Sequence, residues 1–495
     1  MAAMAVYFAR RNTNTEEYFV GGRQFAGWVI GISMLGTIVS SATFLALPAA
    51  AYALDWRQLV VNFALPLVAI LAVVVFIPLF RHGGTTTAFE YLGRRFGVFP
   101  RVYGTLSFIV MQSIRAAQVL FLLSLAIQAL TGAPLYVVII GTGAFVAFYT
   151  AVGGIDTVIW TDVIQTLVLL LGGIVCAATI IFSIPGGLEE IVQTGMASDK
   201  FSVGSFDWNF SERTFWTVML LGVVNWLAIY GGDQNMVQRY VAARSTHEAR
   251  KATIIYSALA LPLWAFFFFV GTSLFVYFRI FPDAQIENMP PDQVLPYFIV
   301  ETIPTGLAGL IIAAIIAAAM STLDSSLNAI ATVTVVDLLR PRMGIHRTDR
   351  FFLRMARWIT CVAAVLMVLG ALLFEYLPKE SMNDISLMAT SIFGGCLMGL
   401  FMLGFFTRRV DGISASWALV GAVMLNIILA LSALELLPVA WRLQLHIYWI
   451  GPFVNASFLV LAYGLTLIRR SPPQSLEGLT IWSIAAKNPT APSKP

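Results

Sequence analysis

The sequence predicts an all-α polytopic membrane protein, and three observations carry that prediction. Of the 495 residues, 59% are hydrophobic and only 11% charged, with a mean hydropathy of +0.83, whereas soluble domains carry roughly 25% charged residues. Apolar runs of about 20 residues, the length that crosses a hydrocarbon core, recur along almost the whole chain. No stretch shows the alternation of apolar and polar residues that a membrane barrel requires.

In order along the chain, Met1–Ala9 is apolar and is followed at once by Arg10 and Arg11. Nine helical residues reach only about 14 Å, so this segment reads as a truncated first helix. It lacks the basic lead and cleavage site of a signal peptide. Twelve full spans follow, near 26–54, 57–80, 103–131, 133–151, 155–184, 214–232, 252–281, 304–338, 352–376, 385–407, 411–434 and 447–468. Several exceed a straight crossing, which predicts tilt, bending or breakage. Arg/Lys clusters precede the first span and follow the second, sixth, eighth, tenth and twelfth, including Arg94, Arg95 and Arg101, then Arg239, Arg244, Arg250 and Lys251, then Arg340 to Arg357. The positive-inside rule makes these loops and the C-terminal tail cytoplasmic, and the expected location is the plasma (inner) membrane. Pro185-Gly186-Gly187 ends the fifth span, and 186–212 and 282–303 read as outer loops with short helical pieces. The expected organisation is a single transporter domain, 1–470, with a short tail, 471–495.

Composition also excludes function classes. No Walker-type Gly-Lys-Ser/Thr element occurs, so transport is not expected to use ATP. A net charge of +4 spread over loops indicates no nucleic-acid partner. Cys176, Cys361 and Cys396 are dispersed in apolar segments without disulfide or metal spacing, and the four histidines form no cluster. An enzyme is therefore not expected.

What remains is a set of lone charges. Arg115 is the only charged residue in 102–132, Asp162 in 157–188 and Asp324 in 302–336. A charge at membrane depth costs several kcal/mol or more unless it faces a polar pathway, so each is a functional candidate. The first span holds Gly31, Gly36, Thr37 to Thr43 and Pro48, the composition of a discontinuous helix whose freed carbonyls ligate a cation and whose half-helix N-terminus faces an anion. Packing of helices through small residues is the other reading of the same pattern. The eighth span places Ser321 and Ser325 on one face with Asp324 beside them. Hydroxyl and carboxylate oxygens suit a hard cation such as sodium, although serines in membrane helices also bond back to their own backbone. Arg115 offers a planar fork for a solute carboxylate; alternatively it forms a structural salt bridge, with Asp162 the nearest suspect.

Thr15-Glu16-Glu17-Tyr18-Phe19-Val20-Gly21-Gly22-Arg23 resembles the motif that leads into the first span of the sodium:solute symporter family, and Tyr149 to Gln165 resembles its most diagnostic signature. Asp233-Gln234, Val237-Gln238-Arg239-Tyr240 and the Gly/Phe-rich 394–409 fit as well. The resemblance implies a sodium symporter fold of two inverted repeats of five helices plus extra helices, a broken first core helix and alternating access. It implies a sodium site formed by the carbonyls of Gly36, Val39 and Ala318 and the hydroxyls of Ser321 and Thr322. A second sodium site would involve Asp162 and Ser325, with Asp324 standing where a serine is expected. Ser40 to Phe44, Pro48 to Trp56 and Arg115 are similar to the sialic-acid-transporting branch, which implies solute contacts from Ser40, Thr43, Asn62 and Arg115. Ile38 stands where a threonine is usual, and Asn62 where a glutamine is. The expectation is thus sodium-coupled import of a small organic anion, sodium being the co-transported ion. A solute sensor of the same fold, or a symporter of an amino acid, sugar or vitamin, is the alternative.

Overall fold

The computed structural model describes residues 1–485 apart from 11–12, 210–211, 213, 345–346, 377–391, 434–435, 439–441, 444–448 and 471–475. The described residues fold into helices. A short α1 (Ala2–Ala9) lies against the long α8 and buries Ala5 completely. α2 (Thr15–Val20) is capped by Asn14, whose side chain accepts from Glu17 N at 2.8 Å, and leads through Gly21 in the left-handed region into the first span.

That first span is broken, as its Gly and hydroxyl content predicts. α3 (Gly27–Ile38) ends at Val39, with ψ 113°, and α4 (Ser41–Ala53) starts from Ser40, with ψ −179°. The two halves are bent by 56°. The next helices are α5 (Trp56–His82), α6 (Ala88–Phe96) and α7 (Val98–Thr131). α8 (Leu135–Ser183) is 49 residues long and holds two predicted spans; Gly154, at φ 61° and ψ −163°, turns one into the other. Pro185 and Gly186 end it, and α9 (Gly187–Ala197) lies outside the spans.

α10 (Phe215–Gly232), α11 (Gln234–Ala242), α12 (Thr246–Ile280), α13 (Pro291–Glu301) and α14 (Thr305–Met343) follow. α12 starts six residues before its apolar run because Ser245 caps it, accepting from Glu248 N at 3.2 Å. α15 (Asp349–Phe374), α16 (Ile392–Phe406), α17 (Gly412–Ala433), α18 (Ile450–Arg469) and α19 (Ile481–Ala485) complete the described chain. The predicted span 385–407 is described only from residue 392, and 385–391 lie outside the described residues. Among the described residues nine helices are long and apolar enough to cross a membrane, and the α3–α4 pair makes a tenth. Dividing α8 at Gly154 and adding the shorter α16 accounts for the twelve predicted spans.

α14 packs along α8 in the most extensive helix–helix contact, with α3 and α12 against the same core. Gly36 permits the α3–α8 approach: a Cβ there would lie 2.6 Å from Thr166 Oγ1 and 3.2 Å from the Asp162 carbonyl. Lipid-directed side chains such as Ile164, Leu167, Leu171 and Ile174 remain exposed on α8.

Two of the arginines assigned above to cytoplasmic loops are not loop charges. Arg95 is 2% exposed and donates to the carbonyls of Val410 (2.9 Å) and Thr407 (3.0 Å). Arg239 is 1% exposed inside α11, all nine residues of which are buried. Counting charge along the sequence misplaces them because burial here follows from docking of distant helices. On the same side, Arg101 Nε and Thr87 Oγ1 both donate to Asp337 Oδ1, at 2.8 and 3.0 Å. Toward the other end, Lys200 Nζ donates to the carbonyls of Tyr52 (2.6 Å) and Leu54 (2.9 Å), a cation on the last carbonyls of α4. Partial burial holds the Lys200 amine below its ordinary value. Tyr297 of α13 donates to Asp283 Oδ2 in the preceding loop at 2.6 Å, which draws the Asp283 carboxyl below its usual range and pushes the Tyr297 phenol up to about 12.

Gly154 occupies backbone space that other residues enter only under strain of about 1–3 kcal/mol. Gly154→Ala is therefore expected to lower the unfolding temperature in detergent, whereas Gly141→Ala on the same helix, where a Cβ meets nothing within 4 Å, leaves it unchanged.

Candidate cation and solute site

Breaking a helix in mid-span exposes two unlike ends. α3 finishes with carbonyls that no later N–H satisfies, and α4 begins with N–H groups that no earlier carbonyl accepts. Partial negative charge therefore collects at Gly36–Val39 and partial positive charge at Ser40–Thr43. The sequence places oxygen donors opposite the first end. Ser321 Oγ donates to the Gly36 carbonyl at 2.8 Å and to the Ala318 carbonyl at 3.0 Å, and Thr322 Oγ1 donates to the Thr37 carbonyl at 3.3 Å. All five residues are buried. The structure thus brings together four of the five residues expected at the sodium site, Gly36, Ala318, Ser321 and Thr322. Val39 closes the same turn, its N–H donating to the Leu35 carbonyl at 2.9 Å. Hydroxyls and carbonyls are the ligands a hard monovalent cation takes. Among the described residues no group of His, Cys, Asp or Glu could hold a multivalent metal.

The second expected set is arranged differently. Asp162 is fully buried, and its Oδ2 accepts from Arg239 Nη2 at 2.7 Å, from Ser33 Oγ at 2.6 Å and from Thr37 Oγ1 at 3.4 Å. Arg239 Nη2 also donates to Ser325 Oγ at 2.8 Å, Nε donates to Ser33 Oγ at 2.9 Å and Nη1 to the Asn235 carbonyl at 3.1 Å. A guanidinium therefore bridges Asp162 and Ser325. This corrects the suspected Arg115–Asp162 salt bridge: the partner of Asp162 is Arg239. Sequence reasoning counted Arg239 as a loop charge and a motif residue, took Thr37 only as part of the hydroxyl run, and passed over Ser33. Asp324 is also fully buried, with Oδ2 accepting from Tyr149 OH at 3.0 Å and Thr161 Oγ1 at 3.4 Å.

Of the expected solute residues, Ser40 and Thr43 are buried at the α4 N-terminus, where Ser40 N donates to Thr43 Oγ1 at 3.2 Å. Thr43 therefore satisfies one of the free donors of the half-helix. Arg115 is half-buried midway along α7, and Asn62 is half-buried on α5. Among the described residues no carboxylate lies within ion-pair distance of Arg115, and no hydrogen bond joins Asn62 to Ser40, Thr43 or Arg115. Asp233 feels the Arg115 guanidinium electrostatically, but it caps α11 by accepting from Asn235 N at 2.8 Å.

A broken first span, hydroxyls facing its carbonyl end and, among the described residues, an arginine at membrane depth without an ion pair are what a membrane transporter needs. Comparison with known proteins agrees. The profile of the sodium:solute symporter family matches residues 18–424. The sodium/sialic acid symporter NanT of Aliivibrio fischeri is 35% identical over 424 residues, 85% of this chain and 83% of its own. SiaT of Proteus mirabilis is 33% identical over 434 residues, 88% and 87% of the two chains. The human sodium-coupled monocarboxylate transporter 1 is 30% identical over 463 residues, 90% of this chain and 74% of its own. A solved sodium-coupled sialic acid symporter in a substrate-bound outward-open state superposes with a TM-score of 0.86 at 30% identity, covering 96% of each chain. A nucleobase–cation symporter, at 15% identity and a TM-score of 0.60, shares the fold.

The chain belongs to the sodium:solute symporter family. It is a multi-pass membrane symporter rather than an enzyme, and sodium is its co-transported ion.

Removing one partner of a buried ion pair typically costs about 3–5 kcal/mol because the other charge is left uncompensated. Arg239→Met is expected to destabilise the protein by that order in thermal unfolding, and adding Asp162→Asn should restore most of the loss. The double-mutant cycle measures the coupling.

Proposed function

We propose that the protein imports a small organic anion, a sialic acid or a chemically similar carboxylate, together with sodium, across the plasma membrane. The observation that carries this reading is Arg115, a guanidinium at mid-span on α7 with no carboxylate at ion-pair distance among the described residues. A guanidinium held at that depth with Asp233 nearby but not in ion-pair contact leaves its fork open to a mobile anion. The positive end of α4 adds a second attraction for an anion. The named substrates of the relatives, sialic acid and monocarboxylates, share one chemical element, the carboxylate that a guanidinium fork recognises.

Sodium entering between α3 and α14 would take the place of the hydroxyl protons now bonded to the Gly36, Ala318 and Thr37 carbonyls. Binding there ties the first half of the broken helix to α14. The carboxylate would lie against Arg115, with Ser40 and Thr43 at the α4 terminus and Asn62 on α5 contributing further hydrogen bonds. With both ligands in place the two half-helices are fixed relative to α14, which favours the alternate state in which low cellular sodium promotes release. If net positive charge crosses, the membrane potential adds about 2.3 kcal/mol per charge per 100 mV. The helix ends bearing Arg81, Arg101 and Arg340 would face the cytoplasm, together with the C-terminal tail.

Uptake of radiolabelled sialic acid and of small monocarboxylates into proteoliposomes tests the substrate class. Truncating one member of a buried charged pair weakens binding by about 2–5 kcal/mol, so Arg115→Ala should raise the half-saturating solute concentration at least about 30-fold. Arg115→Lys keeps the charge without the fork and should fall between. Wild-type affinity in both variants would sink the carboxylate assignment. Ser321→Ala removes one sodium ligand and should raise the half-saturating sodium concentration by roughly tenfold, read from uptake at fixed solute. Binding without flux in the same vesicles would identify a sensor instead.

A further inference from the structure

We infer that the N-terminal end of α15 holds the headgroup of an anionic phospholipid, whose acyl chain lies along the lipid-facing stripe of the same helix. Neither sodium nor the transported solute takes part in this site.

Residues 340–357 hold six arginines and a single carboxylate, Asp349. That carboxylate is committed: its Oδ1 accepts from Arg340 Nη2 at 2.9 Å and from Thr15 Oγ1 at 2.6 Å, and its Oδ2 accepts from Thr15 N at 2.8 Å. Arg342, Arg347, Arg350 and Arg354 are exposed, and among the described residues none of them has a carboxylate at ion-pair distance. Arg357 Nε, on the following turn, is buried without a hydrogen-bond partner. Arginines at the ends of other helices are spent inside the protein: Arg81 on the Tyr240 and Ala243 carbonyls, Arg94 on Glu90 and Arg101 on Asp337. A local excess of one sign that the fold leaves unpaired draws its counter-ions from outside.

The whole surplus is arginine, with no lysine in the segment. A planar guanidinium donates two parallel bonds to a phosphate, which a point-like ammonium does not. Arg347 lies 5.0 Å over the Phe351 ring, which orients its fork. Thr348 gives α15 no side-chain cap, so the partial positive charge of a 26-residue helix adds at the same end.

Arg350 and Arg354 stand four residues apart, and the same helical spacing leads on to Trp358, Val362, Leu366, Leu369 and Leu373. All of these are exposed, Trp358 to 68% and Leu373 to 65%. Val362 to Leu373 covers about 16 Å of helix, one leaflet of a roughly 30 Å hydrocarbon core. The stripe thus begins in guanidinium, passes an indole of the kind that sits at headgroup level and continues in aliphatic side chains. A lipid with a phosphate head matches all three segments, whereas a soluble phosphate compound matches the first alone. Basic clusters beside the end of a membrane helix attract anionic lipid.

Trp358 supplies a local readout. The full-length protein in phosphatidylcholine vesicles is titrated with phosphatidylglycerol carrying brominated acyl chains, which quench the tryptophans they touch. The part of the quenching that Trp358→Phe removes belongs to this stripe. Brominated phosphatidylglycerol is expected to quench that part at a lower mole fraction than brominated phosphatidylcholine does. Each basic residue at an anionic lipid surface strengthens binding about fivefold, so Arg350→Gln combined with Arg354→Gln should weaken it about 30-fold. Arg409→Gln combined with Arg470→Gln removes the same charge from other exposed helix ends and should leave it unchanged. Equal quenching by the two lipids in the wild type, or equal loss in the two double variants, overturns the site. Competition by free glycerol phosphate at matching concentration assigns the arginines to a soluble phosphate and overturns the lipid.

Discussion

Four helices meet at one guanidinium. Arg239 of α11 reaches Ser33 on α3, Asp162 on α8 and Ser325 on α14, all within 2.9 Å. Such a junction is stable only if every member stays in place, because a buried charge that loses its partner has no water to turn to. The register of α3, α8 and α14 is thereby fixed next to the candidate cation site: Ser33 lies one turn before Thr37, and Ser325 one turn after Ser321. The oxygens proposed to hold sodium sit on helices that Arg239 aligns.

From that alignment follows the division of labour in the broken span. Neither half-helix carries a charged residue between Gly27 and Ala53, yet the carbonyl end of α3 attracts a cation and the amide end of α4 an anion. Backbone dipoles, unlike side-chain charges, need no desolvation of a full charge when the ligand departs. In the proposed mechanism, ligands of opposite sign would be held at the two sides of one break.

Much of this was legible in the chain. Gly36, the hydroxyl run to Thr43 and the Ser321-Thr322 pair stand out because glycine and hydroxyls in an apolar run have few other reasons to be there. The lone charges were visible for the same reason. Arg239 was not, because it follows the end of an apolar run and shares its neighbourhood with Arg244, Arg250 and Lys251, which mimics a cytoplasmic loop. Its burial is decided by α3, α8 and α14, which are distant in sequence. Tyr149 was read only as the start of a family signature, since a tyrosine within a span reads as packing until the carboxylate it touches is known. The twelve spans were legible from hydropathy, whereas the continuity of α8 through Gly154 depends on a single backbone conformation that composition does not encode.

α4 is fastened at its C-terminal end and at its middle. Lys200 holds its final carbonyls while lying 4.1 Å from the Phe275 ring of α12, and Gly271 of α12 sits so close to Pro48 that a Cβ would come within 2.2 Å of the proline carbonyl. α3, by contrast, is tied to α8, α11 and α14 through Ser33 and Gly36. Both halves nevertheless lean on α12, α3 along the stretch from Glu248 to Ile255 and α4 at Gly271, and the two residues between them, Val39 and Ser40, carry the bend. The break is thus a corner braced by one continuous beam.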